Sequence, residues 1–154
     1  MTPQQLSTLK TVALADVEAA AYIANGNDTQ LQDWFNAATT FVVWRSTLTS
    51  AMSREALVEG ASQLDALTAG KRDTLFKICE GDLAVSKSSV RAAIDDLCGT
   101  QALLKAAFLA AEKRTCSRAE KALATGTGTN AVPATLGWEG LISGTDVSEI
   151  RTAA

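Results

Sequence analysis

Alanine supplies 28 of the 154 residues, well over a third of the apolar set. A core built largely from so small a side chain has to be closed by elements that approach each other tightly, and alanine is also the strongest helix former. That combination predicts helices packed through small residues. The length matches one ordinary domain, and eight aromatics with 20% charged residues exclude a disordered chain.

Apolar periodicity places the helices. Thr2-Pro3 forms a helix start, with a capping hydroxyl ahead of a proline at the first helical position. Leu6, Leu9, Ala13, Val17 and Ala20 continue as one stripe to Asn25-Gly26-Asn27. Asp28 is placed to cap a second helix carrying Leu31, Trp34 and Phe35, which runs toward Phe41-Val42-Val43-Trp44. That patch fits a strand or a buried helical turn equally well. Leu57, Val58, Leu64 and Leu67 mark one or two short helices, Thr68 caps another, and Ser88 begins the next. The longest helix is expected from Thr100 to Ala124, with Leu104, Ala107, Phe108, Ala111, Thr115, Ala119 and Ala122 facing inward.

After Ala124 the composition turns to Thr125-Gly126-Thr127-Gly128-Thr129-Asn130, where helix cannot continue. The expected fold is therefore all-α, a small bundle of about five helices over 1–124, followed by an extended Thr/Gly-rich C-terminal arm over 125–154. Thr145-Asp146 is placed to cap a short final turn. Such an arm buries little against itself, so it is expected to order against a partner through Leu136, Trp138, Leu141 and Ile142. Removing it past Ala124 should then leave a folded monomer.

Charge is uneven along the chain. Residues 1–99 carry 8 cations and 12 anions, residues 100–124 carry 5 and 2, and residues 125–154 carry 1 and 3, for a total of −3. Lys113, Arg114, Arg118 and Lys121 concentrate the positive charge at one helix end. A basic patch between acidic segments suits head-to-tail association into a ring, and equally suits a solvated helix face. An acidic total argues against a protein that lives on nucleic-acid phosphates.

The chain contains no histidine, which removes the commonest general base and zinc ligand. Cys79, Cys98 and Cys116 have no CxxC pairing and read as buried, inert thiols in a reducing compartment. Asp95 and Asp96 point apart on a helix and form no dyad. Gly126-Thr127-Gly128 lacks the strand before it and the Gly-Lys-Ser/Thr ending of a phosphate loop. No catalytic, cofactor-binding or metal-binding residue is assigned, and an enzyme is the last of the functional expectations. No stretch is apolar enough to span a bilayer and no signal-peptide layout is present, so a soluble chain is expected.

Arg118-Ala119-Glu120-Lys121-Ala122-Leu123-Ala124-Thr125-Gly126-Thr127-Gly128, with Pro133-Ala134-Thr135 and Trp138-Glu139-Gly140, resembles a segment of small virion proteins of tailed bacteriophages. Val43-Trp44-Arg45-Ser46 and the Leu6–Lys10 stretch are similar to the same proteins. The resemblance implies a head–tail connector or adaptor beneath the portal, made in the host cytoplasm and located in the virion neck. Its implied partners are the portal protein, neighbouring copies in a dodecameric ring, and the next neck or tail protein. DNA would pass through the channel without specific binding. The arm and the four cations would face the portal or a neighbouring copy. A tail-completion or stopper protein, and a small nucleic-acid-binding regulator, are the alternative readings.

Overall fold

The computed structural model describes residues 1–153. The chain divides into two compact units, one made of residues 1–43 with 115–154, the other of residues 44–114. The second unit is thus inserted into the first. Among the described residues the secondary structure is about 60% helix, with ten helices and a two-stranded antiparallel sheet. The architecture is mixed, and the all-α expectation is corrected by that sheet.

In the first unit, α1 (Pro3–Leu14) starts at Thr2, whose side chain accepts from the Gln5 amide in a reciprocal capping box. The stripe predicted to continue to Asn25 breaks at Ala15–Asp16. The Asp16 carboxylate accepts from the Glu18 and Ala19 amides and starts α2 (Val17–Asn25). This rotates the apolar face, leaving Val17 91% exposed while Ala19 is buried. Gly26, at φ +68°, ends α2 in the left-handed region. α3 (Asp28–Asn36) follows, with Asn27 at the N-cap position in place of the expected Asp28 and no side-chain capping hydrogen bond there. Asp28 is its first residue and pairs with Arg151 at 2.5 Å.

The apolar patch resolves as strand β1 (Ala38–Trp44), as its β-branched and aromatic residues favour. Its partner β2 (Lys113–Ser117) lies inside what periodicity read as one long helix. That helix is two: α7 (Ala102–Ala111) before the strand and α8 (Arg118–Leu123) after it. Ser117 accepts from the Glu120 amide while the Glu120 carboxylate accepts from the Ser117 amide. This capping box opens a new helix where the stripe suggested continuity.

The segment after Ala124 lies against its own unit and does not extend away from it. Thr125 and Thr135 bridge in antiparallel fashion, and Ala134 bridges Val43 in parallel. Gly128, at φ +65°, accepts through its carbonyl from the Val42 amide at 2.8 Å. Side chains then fasten the later part of the segment. Asn36 both donates to the Ile142 carbonyl and accepts from the Ile142 amide, Gln32 donates to the same carbonyl, and Glu120 accepts from the Gly140 amide. The expected final turn is a full helix, α9 (Gly144–Thr152), capped by Ser143 and Asp146. Val147 and Ile150 are buried with Leu9, Leu31, Phe35 and Ile142 in the core of this unit.

The second unit contains α4 (Ser50–Glu59), a 3₁₀ segment (Ala61–Ala66), α5 (Ala69–Ile78), α6 (Ser88–Cys98) and α7. Thr68 caps α5 as predicted, accepting from the Lys71 amide. α4 packs closely on α7. Gly60 permits this, because a Cβ there would stand 2.8 Å from the Leu104 Cα. Leu48, Leu57, Leu75, Ile94, Leu104 and Phe108 form the centre of a core separate from that of the first unit.

Candidate functional site

The eight residues expected to meet a partner have different fates. Ile142 is 1% exposed and belongs to the core of the first unit, so it is not available to a partner. Trp138 is half-buried against that core, and Leu136 is half-buried against Val43, Cys116 and Ala134. Leu141 alone of the four apolar residues projects, at 73% exposed. The reason is local: Asn36 and Glu120 grip the backbone on either side of it, at Ile142 and Gly140.

The four cations do not share one helix face. Lys113 and Arg114 lie in β2 and are counted with the second unit, whereas Arg118 and Lys121 belong to α8 in the first. Lys113 holds its Nζ 5.8 Å from the centre of the Trp44 ring. Arg114 is half-buried and engaged. Arg118 stacks its guanidinium 4.7 Å over the Trp34 ring, and Lys121 places its Nζ 5.7 Å from the centre of the Phe41 ring. Neither of these last two makes an ion pair among the described residues.

Arg118 and Lys121 line a cleft of about 410 Å³ together with Val12, Ala15, Asp16, Trp34, Thr39 and Ala122. Trp34 is 7% exposed, and its Nε1 is buried without an acceptor. A buried donor without a partner is costly in a folded protein. Asp16 is the only acid in the wall, and its Oδ1 accepts from the two amides at the start of α2. Two cations over an aromatic surface favour a carboxylate- or phosphate-bearing group. Val12, at 37% exposed, adds apolar contact in the wall, and Val17 begins the helix that Asp16 caps.

Arg118 and Lys121 were legible as a basic pair, but their cleft was not. Trp34 reads from its spacing as core, which it also is, and nothing in the sequence links it to Arg118. All three cysteines are free and buried. Burial pushes the Cys79 and Cys98 thiols up to about 11, which suppresses the reactive thiolate. No cluster of three or more metal-ligating side chains occurs among the described residues, and no described helix is long and apolar enough to cross a membrane.

No family model, no curated protein and no solved structure matches this chain.

Proposed function

We propose that the protein is a structural assembly component of a tailed-phage neck, a head–tail connector that forms a ring beneath the portal and lengthens the DNA channel. The observation that carries the assembly reading is the cleft of the first unit. Arg118 and Lys121 have no carboxylate partner there, and the buried Trp34 N–H has no acceptor. An acidic segment of a neighbouring copy can pair with both cations, and residues 1–99 carry an excess of acids to supply it. The exposed Leu141 gives a second contact, on the segment whose sequence resembles phage virion proteins. The portal, neighbouring copies and the next neck or tail protein are the partners in this reading, and the role is structural and not catalytic.

Light scattering after size exclusion, on the chain alone and mixed with a tailed-phage portal ring, tests it. The expected result is a chain that joins the portal in a large complex, with Arg118→Glu combined with Lys121→Glu abolishing the association. A chain indifferent to the portal overturns the adaptor role and favours a tail-completion or stopper protein. Salt-sensitive binding to duplex DNA would favour the regulator.

A further inference from the structure

A second cavity, of about 630 Å³, lies wholly within the second unit between α6 and α7. Its volume is within the range of small-molecule sites. Ile94, Phe108 and Leu109 give it apolar walls, and Trp44 borders it. Four charged residues also line it, and three of them are already occupied. Arg91 donates to the Val85 and Ser86 carbonyls and lies 4.0 Å over the Trp44 ring. Lys105 donates to Asp95 at 2.9 Å. The fourth, Glu112, is 4% exposed, and its carboxyl has no hydrogen-bond partner among the described residues.

The unmet requirement of this cavity is therefore a donor. Arg91 through its Nη1 and Lys105 through its Nζ already donate to protein acceptors, whereas the Glu112 carboxyl, in a residue 4% exposed, makes no hydrogen bond to the described residues and borders the cavity. We propose that the cavity binds a small organic ammonium with an apolar body, the ammonium donating to Glu112 and the body lying against Ile94, Phe108 and Leu109. Arg91, Lys105 and Lys113 oppose a cation here, and Asp95 and Glu112 favour one. The stacking of Arg91 and the pairing of Lys105 with Asp95 direct those two charges into existing contacts. A hydrogen bond between two charged groups in a largely apolar site is worth more than one between neutral groups.

The full chain is titrated by calorimetry at about pH 8, where Glu112 is mostly ionised, with 2-phenylethylammonium, 2-phenylethanol and phenylacetate. The ammonium is expected to bind at least about tenfold more tightly than the alcohol, with no binding of phenylacetate. Glu112→Gln should remove about tenfold of that affinity. Ala106→Trp, at an exposed position of α7 that borders the cavity, should block binding with the fold intact by circular dichroism. Equal binding of the alcohol, preference for phenylacetate, an unchanged affinity in Glu112→Gln, or no uptake of the ammonium at millimolar concentration overturns the proposal.

Discussion

Glu112 gives the stability of this protein a dependence on pH below neutrality. Burial drives its carboxyl up to about 7, against the pull of Arg91 and Lys113 and with Asp95 adding to the rise. Between its ordinary value of 4.5 and 7, the folded chain holds a proton that the unfolded chain has released. Stability from this group is therefore greatest below 4.5, falls as pH rises through that window, and levels off above 7. Glu112→Gln should remove this slope and raise stability at about pH 8 by up to about 3 kcal/mol, as denaturant midpoints measured across the window will report. The cysteines give a second check. Their raised pKa alone should slow alkylation of Cys79 and Cys98 in the native chain about a hundredfold relative to the denatured one, measured by mass spectrometry of the labelled protein. Inert thiols were legible from the absence of any paired motif. Glu112 was not, because a charged residue beside Lys113 and Arg114 reads as one more group on a solvated helix, and only the fold buries it.

Element boundaries were legible where a cap coincided with a break in the apolar stripe, as at Thr2 and Thr68. They were missed where the stripe stayed in phase across the break. Ala111, Thr115, Ala119 and Ala122 keep helical spacing through β2, so periodicity ran straight over a strand. The Ser117-to-Glu120 capping box was the available signal. It does more than start a six-residue helix, since Glu120 is 4% exposed and also accepts from Gly140. Ser117→Ala should cost about 1 kcal/mol through the lost cap. Glu120→Ala should cost more, about 2–3 kcal/mol, because it also leaves the Gly140 amide and the Ser117 amide without their acceptor. Chemical denaturation of the two variants measures the difference. Gly128 gives a sharper test of how the segment after Ala124 is seated. A Cβ there would stand 2.1 Å from the Phe41 ring at a backbone angle that disfavours any side chain. Gly128→Ala should therefore lower the melting temperature distinctly, whereas Gly70→Ala, with open space around it and an ordinary backbone angle, should not.

At the scale of the molecule, nothing in the sequence marks where one unit interrupts another, because neither Trp44 nor Arg114 lies in a Pro/Gly-rich linker or at a break in composition like the one after Ala124. The division appears only in which residues share a core. It reverses the expected result of shortening the chain. Deleting residues 125–154 removes Ala134, Ile142, Val147 and Ile150, each 1% exposed or less, so the first unit should unfold and no folded monomer of the full bundle should remain. Residues 44–114 expressed alone should stay helical and melt cooperatively, since their core draws on no residue outside that range. Circular dichroism of the two fragments checks both outcomes. The interruption also imposes a timetable on biosynthesis. Residues 44–114 leave the ribosome as a complete folding unit, while residues 1–43 have to wait, unpaired, for a partner sequence that is made only after that unit. The cleft that holds Trp34 and Arg118 draws on residues from both sides of the inserted unit, so the surface proposed for assembly cannot form until that unit and residues 118–122 have been made.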